Sequence, residues 1–321
     1  MDSSSFVYII VCLFAFMKAT IYQQLLGGAL LVPFVLHFIL SPYLKWRKEK
    51  AIPLAEVAEK STIPAKRKTV KLSVVVPAYN EIDRMPIMMK ETLDYLKARS
   101  KKDSKFTWEI IVVDDHSRDA TFDTAASFNT DSTPVYALRL RKNAGKGGAV
   151  RVGALHAVGE IILMVDADGA TRFSDLEKLE KQYNPDSGVE VVFGSREHLR
   201  RAEASQQRNP LRKMLMFFFH VAVLSIIGTP IKDTQCGFKL FSKRTSKILF
   251  QSLHLERWAF DTEIVLLCQL LGFKVAEVDV DWREIEGSKL NVLVASIQML
   301  RDMVLLRLMY LLHIWVPNLS Q

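Results

Sequence analysis

The fold follows from one stretch of this chain, Ile161-Ile162-Leu163-Met164-Val165-Asp166-Ala167-Asp168. Its first five residues are apolar and predict a strand that is buried on both faces. Two carboxylates, Asp166 and Asp168, come directly after that strand. At the carboxyl end of a parallel strand they would face the crevice in which open α/β sheets bind ligands. Such a pair suits Mg²⁺ or Mn²⁺, which also take substrate phosphates, although Asp-Gly is equally typical of a solvated turn.

Strands and helices alternate in the chain that leads to this stretch. Apolar and β-branched runs predict strands at residues 72–77, 108–113 and 135–140, and helical periodicity predicts helices at 84–99, 119–128 and 148–158. One more strand is predicted at 189–193. An alternating series predicts an α/β fold with a mostly parallel, Rossmann-like sheet that carries helices on both faces.

Polar residues follow the strands. They are Tyr79-Asn80-Glu81, Asp114-Asp115-His116-Ser117 and Asn143-Ala144-Gly145-Lys146-Gly147-Gly148, besides the Asp166/Asp168 pair. Four polar strand ends on one edge predict a nucleotide crevice, although each alone is also compatible with a helix cap. In segment 145–148, backbone N–H groups and the Lys146 ammonium could approach a pyrophosphate. The segment matches neither a Walker A loop nor a dinucleotide fingerprint, which disfavours an NTPase and a dehydrogenase.

The composition limits the class of protein. With 321 residues the chain can form one large domain or two small ones, and 49% hydrophobic residues exclude a disordered basic tail. The net charge of +8 suits anionic partners such as nucleotide phosphates, lipid head groups or nucleic acid. Three cysteines, Cys12, Cys236 and Cys268, are too few and too scattered for a disulfide framework or a zinc site.

Residues 1–40 are expected to anchor the protein in a membrane. A helix needs about 20 apolar residues to cross the hydrocarbon core; residues 20–40 supply such a run and 6–17 do not. We therefore expect one span near 20–40, with 6–17 either at the interface or extending a tilted helix, and a two-span hairpin is the less favoured alternative. The basic residues after the span, which by the positive-inside rule keep the rest of the chain in the cytosol, are Lys45, Arg47, Lys48 and Lys50. Residues 41–70, charged and containing prolines, are expected to form a linker.

Two more apolar segments occur towards the C-terminus. As a helix, residues 214–228 would span roughly 22 Å, too short to cross, and are expected at the membrane interface rather than in the core. Residues 292–316 form an imperfect amphipathic stripe, because Arg307 lies opposite Arg301 and Asp302. We expect an interfacial helix here; packing on the domain and a second span are the alternatives.

Four motifs occur in order along the chain: Val74-Val75-Val76-Pro77-Ala78-Tyr79-Asn80-Glu81, Val112-Val113-Asp114-Asp115, Gly145-Lys146-Gly147 and Asp166-Ala167-Asp168. They resemble the ordered motifs of family 2 glycosyltransferases, which have the GT-A fold. Later blocks, at residues 194–196, 233–241, 257–261 and 284–290, are similar to the members of that family that glucosylate dolichyl phosphate. The resemblance implies a GT-A domain at 71–245 and a C-terminal part at 246–321 that completes the site.

The resemblance also implies an activity. The expected reaction is an inverting transfer of glucose from UDP-glucose to dolichyl phosphate, giving dolichyl β-D-glucosyl phosphate for N-glycan precursor assembly. The expected place is the endoplasmic reticulum membrane, with the catalytic domain in the cytosol. The implied partners are a divalent metal, Mg²⁺ or Mn²⁺, and the lipid bilayer, with no nucleic acid and with an oligomer left open. Two alternatives remain: the same transfer from GDP-mannose, and an inactive family member that acts as a membrane scaffold.

Individual residues receive roles from the same resemblance. The expected nucleotide-sugar-binding residues are Pro77, Tyr79, Glu81, Asp114, Asp115, Lys146, Asp166 and Ala167. Asp166 and Asp168 are expected to hold the metal, and Asp168 and Asp233 to be catalytic, with an orienting role as the alternative for Asp233. The acceptor phosphate is expected to bind Arg196, Arg212 and Lys289.

Three positions depart from the family pattern. His116 stands where a glycine is common, and Ala170 stands where related mannosyltransferases have a glutamine that helps to hold the metal. The metal would therefore rest on Asp166, Asp168, phosphate and water. His254 replaces the glutamine that processive members place before Arg-Trp, here Arg257-Trp258, which disfavours chain polymerisation.

Overall fold

The computed structural model describes residues 57–199, 231–285 and 292–318, together with Leu40 and Gly228. Apart from those two residues, the predicted span at 20–40 and the apolar segment at 214–228 lie outside the described residues, as do Arg212 and Lys289. In the part of the chain that is described, no helix combines the length and the apolar character needed to cross a membrane.

One mixed sheet is built from the strands of the described residues. They are β1 (Ala58–Ser61), β2 (Leu72–Ala78), β3 (Trp108–Asp114), β4 (Val135–Leu140), β5 (Ile161–Met164), β6 (Val189–Ser195), β7 (Lys239–Ser242) and β8 (Lys274–Asp279). Their spatial order is β1-β4-β3-β2-β5-β7-β6-β8. β2 pairs in parallel with β3 on one side and with β5 on the other, so the strand order reverses between β2 and β5. Ligands of open α/β sheets bind at such a switch point.

Helices connect these strands and cover both faces of the sheet. They are α1 (Met85–Lys102), α2 (Thr121–Ser127), α3 (Lys146–His156), α4 (Leu176–Gln182), α5 (Lys243–Ser252), α6 (Phe260–Leu270) and α7 (Val292–Leu311). Every helix and strand predicted between residues 72 and 195 is present, with ends within three residues of the prediction. The α/β class and the helices on both faces are confirmed.

The sheet is mixed: six of the eight strands of the described residues run in one direction, as predicted, whereas β1 at one edge and β7 inside the sheet run against them. β7 is antiparallel to both β5 and β6, and β1 is antiparallel to β4. β1 lies in residues 41–70, which were expected to be a linker. Its sequence, Ala-Glu-Lys-Ser, is largely exposed, so no hydrophobic alternation marks it as a strand. The boundary expected at residue 245 falls inside α5, and β8 from beyond that boundary joins the same sheet beside β6.

The core lies on both sides of the parallel strands. β2 and β3 are buried along their whole length, and each fully buried Val or Leu contributes about 1.5–3 kcal/mol. Val74 and Val76 pack with Met85 and Met89 of α1 on one face. On the other face α3 approaches so closely that a Cβ added to Gly153 would lie 2.5 Å from Val75 Cγ1. This packing fixes the start of α3 beside the carboxyl ends of the strands.

Candidate active site

The loops after β2, β3, β4 and β5 meet at one edge of the sheet and form the candidate site. Asp166 and Asp168, called here the carboxylate pair, follow β5. Lys146, the first residue of α3, places its Nζ 2.7 Å from Asp166 Oδ1. Burial alone would raise the pKa of Asp166, but the charge of Lys146, with those of Lys239 and Arg196, holds that pKa below its usual value. Asp166 is therefore an ionised carboxylate among three cations.

Asp168 has a different environment. Its Oδ1 accepts a hydrogen bond from the backbone N–H of Ala170 (3.0 Å). Burial and the negative charge of Asp166 raise the pKa of Asp168. A cation held by both carboxylates would relieve that repulsion, so the pair fits a divalent metal. Within the described ranges no three metal-ligating side chains cluster, so further ligands would be phosphate and water. The Ala167 side chain is buried in the core, so a contact of Ala167 with the nucleotide would have to involve its backbone.

Asp114, the last residue of β3, fixes the loop that follows. It is buried, and its carboxylate accepts hydrogen bonds from Arg139 Nη1 (2.8 Å) and from the backbone N–H of Ser117 (2.9 Å). Arg139 Nη2 also donates to the Ser117 carbonyl (2.9 Å). The contact of Asp114 with the nucleotide stays a prediction. In the structure the Asp114 carboxylate stabilises the loop after β3.

Asp115 joins the loop after β3 to the loop after β4. Its carboxylate oxygens accept hydrogen bonds from the backbone N–H groups of Ala144 (2.6 Å) and Gly145 (2.8 Å). Burial raises the pKa of Asp115 to about 6, with the charges of Asp114 and Glu256 acting in the same direction and the two N–H groups against it. The conformation of segment 143–145 therefore depends on a carboxylate that titrates not far below neutral pH.

The loop after β2 carries three more of the predicted nucleotide-binding residues. Pro77 is buried within β2, whereas Tyr79 is 39% exposed. Glu81 accepts a hydrogen bond from Arg84 Nε (2.7 Å). That hydrogen bond raises the pKa of Arg84, and the negative charges of the carboxylate pair act in the same direction. Arg84 is thus a further cation beside the pair, one that the sequence argument did not include.

The glycines of segment 145–148, called here the glycine loop, are packed against other backbone. A Cβ on Gly145 would lie 2.7 Å from the Glu256 carbonyl oxygen, and one on Gly147 would lie 2.6 Å from Phe260 Cβ. The N–H of Gly148 donates to the same Glu256 carbonyl (2.9 Å). The predicted approach of this segment to a pyrophosphate stays a prediction, and the structure shows that its glycines also pack closely against the chain between α5 and α6.

Arg196 and Asp233 form a bidentate ion pair next to the carboxylate pair. Arg196 Nε lies 2.7 Å from Asp233 Oδ2, and Nη2 lies 2.9 Å from Oδ1; the Arg196 backbone N–H also donates to Oδ2 (3.0 Å). Asp233 is buried, and its own N–H donates to Glu277 Oε1 (2.8 Å). Since both Asp233 oxygens bind Arg196, the geometry favours the orienting role for Asp233. The Arg196 guanidinium carbon lies 5.5 Å from the centroid of the Trp282 ring.

Comparison with known proteins agrees with this geometry. The model of glycosyl transferase family 2 matches residues 73–249. The dolichyl-phosphate β-glucosyltransferase of Homo sapiens is 45% identical over 282 residues, which cover 85% of this chain and 87% of that protein. The enzymes of that name from Dictyostelium discoideum and Saccharomyces cerevisiae are 48% and 39% identical, over 76% and 77% of this chain and the same shares of their own lengths.

The chain belongs to the dolichyl-phosphate β-glucosyltransferases of glycosyl transferase family 2. Among solved structures, glucosyl-3-phosphoglycerate synthase from Mycobacterium tuberculosis in complex with Mn²⁺ and UDP-glucose is similar, with a TM-score of 0.52 at 20% identity. The match covers 74% of this chain and 79% of that chain. At this identity the likeness concerns the GT-A fold, which is thereby confirmed for the family member described here.

Two buried residues near the carboxylate pair were not predicted from the sequence. Lys239, in β7, and Asp261, in α6, form a buried ion pair. The Lys239 Nζ atom also lies 4.9 Å from the centroid of the Phe193 ring. The positive charge of Lys239 acts on Asp166 and helps to lower its pKa. A lysine inside the apolar run Phe238-Lys239-Leu240-Phe241 was the available signal, because a charged side chain in a buried strand requires a partner.

The structure brings most of the predicted site residues of this family member to one edge of the sheet. Arg212 and Lys289 lie outside the described residues, so their expected contacts with the acceptor phosphate stay predictions. The described chain before Lys289 runs along the site. Thr171 and Trp282 form an antiparallel bridge, and the N–H of Arg283 donates to the carbonyl of Ala170 (2.8 Å), two residues after Asp168.

Proposed function

We propose that this protein transfers glucose from UDP-glucose to the phosphate of dolichyl phosphate and so forms dolichyl β-D-glucosyl phosphate. The observation that carries the proposal is that the family match, residues 73–249, contains the assembled site. Lys146 with the carboxylate pair and Arg196 with Asp233 lie in that segment. Relatives up to 48% identical are named as β-glucosyltransferases, which favours UDP-glucose over GDP-mannose as the donor. The ion pairs of Lys146 with Asp166 and of Arg196 with Asp233 are present, which argues against an inactive member that acts only as a scaffold.

The donor would bind across the switch point between β2 and β5. Lys146 is the first residue of α3, where backbone N–H groups also favour a diphosphate. Asp166 and Asp168 would hold a divalent cation, Mg²⁺ or Mn²⁺, whose positive charge favours departure of the UDP diphosphate. Before the donor arrives, Lys146 neutralises Asp166 at 2.7 Å and so keeps the buried carboxylate ionised.

The acceptor needs positioning more than activation. A phosphate monoester is already an anionic nucleophile, so no protein group has to remove a proton from it. One of its oxygens forms a bond to the anomeric carbon of glucose while the bond from that carbon to the UDP oxygen breaks, and the leaving diphosphate takes the electron pair. Attack on the face opposite UDP inverts the α-linked donor to a β-linked product. Arg196, fixed by Asp233, would present the guanidinium that holds this phosphate.

The proposed acceptor is a membrane lipid, and α7 offers an apolar surface towards it. Leu305, Leu306 and Met309 of α7 pack in the core. Large apolar residues on its other side and just after it are exposed: Ile297, Leu300, Leu308, Leu311, Leu312, Ile314 and Val316. A contiguous exposed apolar patch of this kind marks a partner or a membrane surface. With the basic residues at 45–50, it supports a catalytic domain on the cytosolic face of the endoplasmic reticulum membrane.

A transfer assay with radiolabelled sugar tests the proposal. The purified protein in detergent receives UDP-[¹⁴C]glucose or GDP-[¹⁴C]mannose, with or without dolichyl phosphate, and label in the organic phase is counted. We expect label only from UDP-glucose, only with dolichyl phosphate, and none after EDTA. Transfer from GDP-mannose alone would assign the alternative donor, and no transfer from either would support the scaffold.

A further inference from the structure

The chain between α5 and α6, residues 253–259, lies directly on the glycine loop. The Glu256 carbonyl oxygen of this α5–α6 segment accepts the N–H of Gly148 at 2.9 Å and leaves no room for a side chain on Gly145. Lys146, between those two glycines, holds Asp166 at 2.7 Å. The α5–α6 segment therefore sets the position of the lysine expected to meet the donor diphosphate.

One buried carboxylate holds the α5–α6 segment in place. Glu263 of α6 is 0% exposed, and its oxygens accept hydrogen bonds from the backbone N–H groups of His254 (2.9 Å to Oε2) and Leu255 (2.7 Å to Oε2). The Nδ1 atom of His254 lies 2.8 Å from Oε1. The two backbone N–H groups come from the residues immediately before Glu256. A shift of the Glu263 carboxylate would therefore move the Glu256 carbonyl.

The same carboxylate is connected to α7. The hydroxyl of Tyr310, in the last turn of α7, donates to Glu263 Oε1 (3.1 Å). Trp315, just after α7, is almost completely buried and stacks on the His254 ring at a centroid distance of 4.2 Å and an interplanar angle of 8°. The helix that carries the exposed apolar patch is thus joined through Glu263 and His254 to the glycine loop.

We infer that Glu263 is a positioning residue for the donor diphosphate, acting through the α5–α6 segment on the glycine loop and Lys146. It touches no substrate. This inference rests on the proposed function, because it assumes that Lys146 meets the diphosphate of UDP-glucose. It assigns to the buried group of Glu263, His254 and Tyr310 a task beyond stability: to keep the donor site assembled and to connect it with the lipid-facing helix.

The test compares Glu263→Gln with a matched variant, Glu109→Gln. Glutamine keeps the shape of glutamate, but it has no charge and only one carbonyl oxygen, so the N–H groups of His254 and Leu255 share one weaker acceptor and the α5–α6 segment is held less firmly. Glu109 is also buried, and it also accepts from a backbone N–H, that of Val158 (3.0 Å), and from Ser73 Oγ (2.6 Å). It lies at the opposite end of α3 from Lys146. Both variants should lose thermal stability.

The measured quantities are the KM for UDP-glucose, the KM for dolichyl phosphate, and UDP affinity in the absence of acceptor. We expect Glu263→Gln to raise the KM for UDP-glucose about tenfold and to weaken UDP binding similarly, with the acceptor KM within about twofold. Glu109→Gln should leave all three within about twofold. Tyr310→Phe, which removes one donor to Glu263 and keeps the backbone contacts, should give a smaller change in the same direction.

The outcomes separate the inference from the proposed function. An unchanged UDP affinity in Glu263→Gln, or an equal loss in Glu109→Gln, overturns the positioning role. If Glu263→Gln does not fold, an unchanged UDP affinity and donor KM in Tyr310→Phe overturns it instead. If the wild type transfers no glucose, the proposed function fails, and the comparison of UDP affinities still decides whether Glu263 positions the nucleotide site.

Discussion

Gly237 lies against Asp166, the carboxylate proposed to hold the metal, and replacing this glycine with alanine is a direct test of the site. A Cβ at this position would be 1.9 Å from Asp166 Oδ2 and 2.2 Å from Asp166 Cγ. Carbon and oxygen atoms that are not bonded stay at least about 3.2 Å apart, so the carboxylate would have to move by more than about 1 Å. Backbone movement is restricted, because Met164, two residues before Asp166, pairs with Lys239, two residues after Gly237, in the sheet.

The displacement would separate Asp166 from Lys146, now 2.7 Å away, and from its place in the carboxylate pair. A misplacement of about 1 Å in a reacting constellation costs on the order of 100-fold, equivalent to about 2.7 kcal/mol of transition-state stabilisation. We therefore expect Gly237→Ala to lower kcat/KM for glucose transfer at least about 100-fold. The assay is the transfer of label from UDP-[¹⁴C]glucose to dolichyl phosphate.

Gly188→Ala is the control for general destabilisation. Gly188 has a φ of +82°, and a Cβ there meets only the Lys274 side chain, 3.6 Å away. The strained backbone should cost about 1 kcal/mol of folding stability and leave transfer unchanged. If folded Gly237→Ala keeps activity within threefold of the wild type, the placement of Asp166 is not critical and the reasoning fails.

Further predictions concern the carboxylates, the arginine and the topology. Asp168→Asn should abolish transfer while the melting temperature stays equal or rises, because burial and Asp166 raise the pKa of Asp168 and its charge is costly in the fold; near-normal turnover would remove Asp168 from the mechanism. Because the pKa of Asp115 is raised to about 6 and its ionised form holds segment 143–145, transfer should fall as the pH drops through about 6. In Asp115→Asn the transfer rate should not show this fall near pH 6. The stability of the wild type relative to that variant should increase from pH 7 to pH 4, since a raised native pKa favours the protonated folded state. Arg196→Ala should lower transfer to dolichyl phosphate at least about tenfold with UDP affinity little changed, while the loss of the guanidinium from the buried Asp233 carboxylate also lowers stability by about 3–5 kcal/mol; a loss of UDP affinity alone would assign Arg196 to the donor. A glycosylation-acceptor tag at the C-terminus should stay unmodified in microsomes, and its efficient glycosylation would contradict the cytosolic orientation.

The parallel centre of the fold could be predicted because its strands are buried on both faces. Val74, Val75 and Val76 pack against helices whichever way they point, so the apolar run itself identifies β2. β1 carries no such pattern, because Ala58–Ser61 is an edge strand in contact with solvent. The antiparallel insertion of β7 could not be predicted either, since four residues are too few to reveal a period.

The meeting of Asp166, Asp168 and Lys146 at one edge of the sheet could be predicted, because these residues directly follow predicted strands whose carboxyl ends converge. The packing roles of Gly237 and of the glycine loop were not predicted, since a glycine that makes room for Asp166 or for Glu256 looks the same in sequence as one that approaches a phosphate. Contacts between distant segments, such as Arg196 with Asp233, depend on the tertiary fold and leave no local pattern.

The central claim is that the switch point between β2 and β5 binds the sugar nucleotide. A crystal structure of the protein with UDP-glucose and Mn²⁺ tests it most directly, through the anomalous signal of the metal. We expect Mn²⁺ on Asp166 and Asp168, the diphosphate beside Lys146, and the glucose directed towards Arg196. A nucleotide bound elsewhere, or Mn²⁺ bound without either carboxylate, would contradict the account.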